Sequence, residues 1–398
     1  MYLSIPPERI RFEMEKLDVH PVGIELMAPK AHVRPLKLFG VRTPAANIIK
    51  QEMLALDGDC VTPRGVINGA LAEADIILLG NDRQYRLLIK KLGTMANWFG
   101  IQKIMDDLWE FLQDEPLVTV LADGRKLTYE KLRVMGILNV TPDSFYAGSR
   151  VNGEEALVER AGDMLQDGAD ILDIGGESTR PGADPVAPEE EIRRVTGALK
   201  LLRKEYPKAI LSVDTYHADT AEAALEAGAD IINDVTAGTG DENMLAVAGR
   251  AKAPLVLMHM RGTPKTMVNT ENKMYHNVVG DVARYLLERV DACAAVGLGK
   301  DKLILDPGLG FAKDVQGNLA LCNGLAELTG HGMPVLLAGS RKGFIGEVLG
   351  GLPAGDRLEG TMALSACAVY AGAQMVRVHD VKQNVRIIRM LEAIRACQ

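Results

Sequence analysis

Eight short apolar runs in the later part of the chain each give way to residues able to do chemistry. Asn139, with Thr141-Pro142-Asp143-Ser144, follows the first, and the glycine-rich stretch Gly175–Ala183 (GGESTRPGA) follows the second. The third ends in Asp214-Thr215, the fourth in Asn233-Asp234, and the fifth in Met258-His259-Met260-Arg261-Gly262. Asp306-Pro307-Gly308 with Gly310-Phe311 closes the sixth, Gly339-Ser340-Arg341-Lys342 the seventh, and Arg377-Val378-His379-Asp380 the eighth. Each has a plain explanation alone. Asp214 is placed to cap a following helix, Asn233 to make a turn, and His259 to be a satisfied core group between two methionines. Gly175-Gly176 is placed to allow a tight connection. Eight polar endings together are harder to dismiss and point to one ligand site.

The residue types describe the ligand. Asp and Asn accept from and donate to a flat, nitrogen-rich heterocycle such as an aminopyrimidinone. A carboxylate facing a guanidine-like edge accepts two N–H bonds at once. Met258 and Phe311 can sandwich such a ring. Arg377 and His379, with Asn139 near, suit a phosphate or its magnesium ion. Ser178-Thr179-Arg180-Pro181-Gly182 reads as a mobile loop whose Arg180 can reach an anion.

These residues need a scaffold that gathers eight strand ends on one rim. The runs are Val134–Val140, Ile171–Ile174, Ile210–Val213, Ile231–Ile232, Leu255–Met258, Leu303–Leu305, Val335–Ala338 and Met375–Val378. Continuous apolar runs flanked by turn signals suggest strands buried on both faces, as in a parallel sheet. Helical stretches separate most of them, among them Glu154–Gln166, Glu189–Glu205, Thr220–Glu226 and Asn277–Ala295. Gly-Ala-Asp at 168–170 and 228–230, and Gly-Ala-Gln at 372–374, place a helix-ending glycine just before a strand. The fold class is α/β: eight βα units in about 280 residues predict a (β/α)8 TIM barrel, with a doubly wound open sheet as the alternative.

The boundary falls near Pro116, giving segments 1–115 and 116–398. VTVLADG and RKLTYEKLRV read as a β-hairpin turning at Asp123-Gly124. Residues 1–115 hold both tryptophans and read as a small α/β domain of unknown role. Its expected elements are a helix over Pro44–Leu56 with Thr43 as N-cap, a buried strand at Ile76–Leu79, and helices at Asp82–Lys91 and Gln102–Gln113. The basic stretch Arg83, Arg86, Lys90 and Lys91 reads as a solvated helix face.

Composition narrows the class. The chain of 398 residues is 47% hydrophobic and 25% charged, which is ordinary for a globular protein. A net charge of −8 argues against a general nucleic-acid binder but leaves small anionic substrates open. Five scattered cysteines, none in a CxxC pair, argue against a disulfide framework or zinc site and fit a reducing cytoplasm. There is no apolar run of about 18 residues, and MYLSIPPERIRFEMEK carries prolines and charges where a signal peptide is apolar. A soluble cytoplasmic protein, with neither nucleic acid nor membrane as partner, is expected.

The stretches NVTPDSF, GGESTRPGA, SVDT, INDV, LMHMRGTPKTM, LDPGLGF, AGSRKGFIG and VRVHDV together resemble dihydropteroate synthase, over roughly Leu117–Val381. That resemblance implies a TIM barrel joining 6-hydroxymethyl-7,8-dihydropterin diphosphate to p-aminobenzoate with loss of diphosphate. This is the folate-pathway step that sulfonamides block. It implies that Asp214, Asn233, Asp306 and Lys342 hold the pterin, with Met258 and Phe311 on its faces. Asn139 is implied to bind Mg²⁺ with the diphosphate, and Arg377 and His379 to hold the diphosphate. Thr179 and Arg180, with Ser340 and Lys342, are implied to frame the p-aminobenzoate site. Asp214, Asp306, Lys342 and Arg180 carry the catalytic roles, in an SN1-like displacement. The family usually forms a homodimer through barrel helices, and Leu358–Tyr370, rich in small residues, is placed for that contact.

Three features depart from the family's pattern. Tyr146-Ala147-Gly148-Ser149 stands where the family usually continues Ser-Asp-Gly-Gly, although Asp143 is kept. Gly343 stands after Ser-Arg-Lys, where a serine or larger residue is common. The first 115 residues match neither the pyrophosphokinase nor the aldolase sometimes fused to the enzyme. Two other functions fit the same pterin clamp: a methyltetrahydrofolate-dependent methyltransferase serving a corrinoid protein, and a non-catalytic pterin-binding homologue. The extra domain is expected to act as an interaction module, or else to reach over the barrel mouth.

Overall fold

The computed structural model describes residues 3–113, 115–140, 150–177, 186–262, 266–267 and 269–397. The chain divides into two compact units, Met1–Glu115 with Cys397–Gln398, and Pro116–Ala396.

The first unit is built on a three-stranded antiparallel sheet. Strand β3 (Glu73–Leu79) lies between β1 (Leu36–Arg42) and β2 (Asp59–Val61). Ile76 and Leu78 are buried while Ile77 is exposed, so β3 alternates and has one face packed, rather than being buried throughout. Two short helices, α1 (Ile10–Lys16) and α2 (Pro21–Met27), precede the sheet, and α4 (Arg64–Ile67) follows β2. Helices α3 (Thr43–Leu54), α5 (Asp82–Leu92) and α6 (Ile101–Phe111) supply the rest of the core. Asn81 and Gln84 form a capping box that starts α5. Arg83, Arg86, Lys90 and Lys91 are exposed, as expected for a solvated face. Thr43 is not an N-cap. It is the first residue of α3, and its hydroxyl instead donates to the Leu71 carbonyl.

In the second unit the hairpin β4 (Val118–Val120) and β5 (Lys126–Thr128) pairs antiparallel, turning at Asp123-Gly124. Eight parallel strands follow. They are β6 (Arg133–Asn139), β7 (Ile171–Gly175), β8 (Ile210–Asp214), β9 (Ile231–Asp234), β10 (Leu255–Met258), β11 (Leu303–Asp306), β12 (Leu336–Leu337) and β13 (Met375–Val378). They run in the order β11-β10-β9-β8-β7-β6-β13-β12. A parallel bridge between Leu305 and Val335 joins the two ends of that row, so the sheet closes as a barrel. The open-sheet alternative is thereby excluded. The runs read from sequence match the strands closely, except that β12 is only two residues long. The helices between are α7 (Arg150–Gln166), α8 (Pro188–Glu205), α9 (Ala218–Glu226), α10 (Met244–Ala251), α11 (Val278–Ala295), α12 (Val315–Asn323), α13 (Gly343–Val348) and α14 (Leu358–Ala371); α15 (Val381–Ala396) follows β13.

Gly168, Gly228 and Gly372 all adopt the left-handed conformation that a side chain would strain, ending the helix just before the strand. The polar residue two places on then pins the register. Asp170 accepts the Val134 N–H at 2.9 Å, Asp230 the Leu211 N–H at 2.9 Å, and Gln374 the Val335 N–H at 2.8 Å.

Inside the barrel, Met135, Ile171, Ile231, Val256, Ile304, Leu336 and Met375 form one buried apolar layer, with Ile210 packed against it and Leu121 and Leu127 of the hairpin closing it. Two residues further along a strand the side chain returns to the same face. There the interior becomes polar: Asp173, Ser212, Asn233, Asp306 and Arg377. Residues between, such as Leu172, Leu211, Ile232, Leu257, Leu305 and Val376, pack outward in the main core.

Candidate active site

The polar layer opens into a cleft of about 780 Å³ at the C-terminal ends of the strands, where barrel active sites are built. Strand register sets its order. Asn139 lies level with Gly175, Gly175 with Asp214, and Asp214 with Asn233. Of the residues singled out from sequence, Asn139, Asp214, Phe311, Ser340, Lys342, Arg377 and His379 line the cleft. Asn233, Met258 and Asp306 are buried beside it, each at most 3% exposed. Met258 shares an apolar cluster with Phe311, Met260, Met267, Val235 and Ala312, so the two expected ring-facing side chains form one wall. Thr179 and Arg180, and Asp143 with Tyr146-Ala147, lie outside the described residues.

Arg377 is the electrostatic centre. Its Nε donates to Asp173 Oδ2 at 2.6 Å and its Nη2 to Asp214 Oδ2 at 2.5 Å. Asn233 Nδ2 donates to the same Asp173 oxygen at 3.0 Å. Burial works against the guanidinium charge, but the two carboxylates hold Arg377 protonated above its ordinary value. Burial raises the Asp214 carboxyl well above the usual range; Arg377 opposes that rise and the Asp173 charge adds to it. Among the described residues, Asp173 Oδ1 and Asp214 Oδ1 have no hydrogen-bond partner. An unpaired buried acceptor is costly unless something supplies a donor, and Asp214 lines the cleft where a ligand can do so. It is therefore not a helix cap.

Asp306 is buried too, and its carboxyl is pushed up to about 6 by burial, offset in part by the Gly308 N–H and the nearby Lys342 charge. Gly308 N donates to Asp306 Oδ1 at 2.7 Å. No other residue fits at Gly308: φ is +70°, and a Cβ would stand 2.1 Å from the His259 carbonyl oxygen. Lys342 Nζ lies 4.1 Å from the centre of the Phe311 ring, so cation and ring share the wall.

Two of the strand-end residues serve the fold. His259 is buried and held neutral, its pKa lowered to about 2 by burial and by the Lys313 charge, so it is the satisfied core group and not a ligand. Asp234 points away from the barrel axis, accepting from Thr236 N at 2.7 Å and Gly238 N at 2.5 Å to shape a turn.

Three features were missed. Asp173 sits inside an apolar run, and an acid there is the signal that could have revealed it. Ser340 Oγ lies 2.9 Å from His379 Nδ1, and also accepts the His379 N–H at 3.2 Å, which turns the hydroxyl toward β13 rather than presenting it as a nucleophile. Glu177, Glu191 and His217 cluster past the ends of β7 and β8, with His217 Nδ1 2.8 Å from Glu191 Oε2. Nothing in their spacing announced this.

Comparison with known proteins addresses the same segment. The pterin-binding-enzyme family profile matches residues 135–379. The dihydropteroate synthase of a Synechocystis species is 42% identical over 279 residues, covering 70% of this chain and 94% of that protein. That of Bacillus subtilis is 45% identical over 265 residues, covering 67% and 89%. The structure of Xanthomonas albilineans dihydropteroate synthase with 4-aminobenzoic acid superposes with a TM-score of 0.65 at 39% identity, covering 71% of this chain and all of that one. The matched span begins on the first barrel strand and ends at His379 in the cleft, so it encloses the whole site, and the chain belongs to the dihydropteroate synthase family of pterin-binding enzymes.

Proposed function

We infer that the barrel forms the carbon–nitrogen bond of dihydropteroate. The chain is a transferase of folate synthesis. It condenses 6-hydroxymethyl-7,8-dihydropterin diphosphate with p-aminobenzoate, giving 7,8-dihydropteroate and diphosphate. The observation that carries this reading is the pair of buried carboxyls, Asp214 and Asp306, set beside the Met258–Phe311 wall and the Lys342 cation.

Asp214, Asn233, Asp306 and Lys342 hold the pterin. The orphaned Asp214 oxygen takes one of its N–H donors, while Met258 and Phe311 cover its faces. Arg377 and His379 face the diphosphate from the eighth strand, and Ser340 with Lys342 frames the arylamine, together with Thr179 and Arg180. Asn139 offers one amide oxygen to Mg²⁺. That fits an ion that keeps most of its water and takes its remaining ligands from phosphate, and the glycine at 175 leaves room beside that oxygen, where an ideal Cβ would lie 3.4 Å away. Bound there, the ion would supply positive charge to the diphosphate.

The chemistry asked of the side chains is electrostatic. The carbon–oxygen bond to diphosphate breaks with its electrons leaving on the phosphate. The carbon, attached to an electron-rich dihydropterin, shares the resulting positive charge with the ring, and the Asp214 and Asp306 carboxylates stabilise it. The arylamine lone pair then closes the new bond and its proton passes to solvent. Donors from the eighth strand neutralise the departing charge. A homodimer packed through barrel helices is proposed as the assembly, with the exposed Tyr370 on α14 in the contact. The cytoplasm is proposed as the compartment; among the described residues no helix is long and apolar enough to cross a membrane.

Mixing the purified chain with the pterin diphosphate and Mg²⁺ is expected to release diphosphate only when p-aminobenzoate is added. Tight pterin binding without arylamine-dependent release would replace this reading with a binding protein. The acid side of the profile is also set. Asp306 accepts from the pterin most strongly when ionised, so affinity is highest above its raised pKa and weakens as pH falls through about 6. Calorimetry of pterin binding should show about a tenfold loss or more across that step, the worth of one charge-assisted hydrogen bond. A flat profile would mean that Asp306 does not touch the pterin.

A further inference from the structure

Lys313 belongs to none of the roles above, yet it is one of the most deeply buried charged side chains in the barrel, at 5% exposure. It ends the segment Asp306–Lys313, which follows β11 and carries Phe311. That segment turns inward by an unusual route: Gly308, Gly310 and Ala312, at every second position, are left-handed, with φ of 70°, 80° and 49°. The Lys313 side chain folds back onto this segment. Nζ donates to the Phe311 carbonyl at 2.8 Å and the Gly308 carbonyl at 2.9 Å. It also meets His259 Nδ1 at 3.0 Å and the His259 carbonyl at 3.3 Å, which ties the segment to the end of β10 beside Met258. Its acceptors are three carbonyls and an imidazole nitrogen, not a carboxylate. The side chain thus sits at the centre of a folded turn, where burial lowers its pKa to about 7 and the Asp306 charge opposes that fall; protonated or neutral, its N–H groups still reach these carbonyls. Ala312, with a Cβ at positive φ, is strained unless its surroundings hold it.

We propose that Lys313 is a positioning residue for the pterin site: by gathering the carbonyls of Gly308, Phe311 and His259 around one amine, it fixes the Phe311 ring in the wall it shares with Met258. This rests on the reading that Met258 and Phe311 cover the pterin faces. A purely structural lysine would lower stability without favouring either substrate. A positioning lysine acts through Phe311 and weakens the pterin side selectively.

The test is a double-mutant cycle read by pterin-diphosphate affinity and by KM for each substrate. Lys313→Met, which keeps the stem and removes the donors, is expected to weaken pterin binding about tenfold, with KM for p-aminobenzoate changed less than about threefold. In a Phe311→Ala background the same change should add less than about threefold, because the ring it positions is gone. Lys313→Gln, which keeps two N–H donors, should fall between, and replaces Lys313→Met in the cycle if that variant does not fold. A folded variant with unchanged pterin affinity, or full multiplication of the two effects in the double mutant, overturns the proposal. If Phe311→Ala alone leaves pterin affinity unchanged, the reading of the pterin faces fails instead.

Discussion

Lys342→Ala is expected to remove arylamine-dependent diphosphate release almost completely, with turnover down about 10²–10³-fold. Two losses combine. The cation on the Phe311 wall is gone, and with it an N–H donor that holds the pterin and frames the arylamine. The same charge also holds down the pKa values of Asp214 and Asp306, which burial raises. Without it both carboxyls shift further upward, and a larger fraction is protonated and accepts from the pterin only weakly at neutral pH. The residual activity should therefore recover in part as pH is raised, whereas loss of a simple binding contact would lower turnover at every pH alike. Diphosphate release at saturating substrate across a pH series separates these cases. A loss below about fivefold would remove Lys342 from the reaction centre.

Arg377→Met carries the largest expected effect on folding. The guanidinium is the shared counter-charge of Asp173, which is fully buried, and Asp214, which is nearly so. Removing one partner of a buried pair costs about 3–5 kcal/mol because the remaining charge has no compensation. For a barrel of this size that corresponds to a fall in Tm of about 6–20 °C. The sign with pH follows. Burial already holds the folded-state pKa of Asp214 above its unfolded value, and loss of Arg377, which opposes that rise, raises it further. The Asp214 contribution is then most favourable in acid, where that carboxyl is protonated, and is lost as pH rises from the ordinary carboxylate range up to its raised pKa. Asp173→Asn added to Arg377→Met should restore part of the loss, since an amide carries no charge to compensate. Thermal denaturation of the single and double variants decides it. A double variant no more stable than Arg377→Met would show that the pair is not a buried charge network.

These two cases also show what the sequence can and cannot express. The barrel strands were legible because both faces are buried: outward Leu172 and inward Ile171 are equally apolar, so the run is continuous and easily seen. The same property hid the polar layer. Asp173 reads as a blemish in ILDIG, and only strand alternation shows that it shares the interior with Arg377, 204 residues later. Residues beyond the runs, such as Asp214, Asp306 and Lys342, were found because polarity at a strand end stands out against an apolar background. Lys313 lies seven residues past Asp306, and its importance comes from backbone conformation at Gly308, Gly310 and Ala312, for which residue type is a poor guide. In the first unit, Thr43 shows the same limit. Its type and place before Pro44 suggest a cap, but the Leu71 carbonyl, distant in sequence, takes its hydroxyl.

The barrel is a ring with a clasp. Strand β12 contributes two residues, joined to β13 through Leu336–Met375 and Leu337–Val376, and the ring is completed toward β11 by the single Leu305–Val335 bridge. Elsewhere, as between β6 and β7, five residue pairs hold neighbours together. Breathing of the ring is therefore concentrated at this one joint, where the fewest ladder bonds must open. The joint also divides the site, with Asp306 on one side and Ser340 and Lys342 on the other. A molecule held by both sides fastens the clasp, so occupancy of the cleft and closure of the whole ring become one equilibrium.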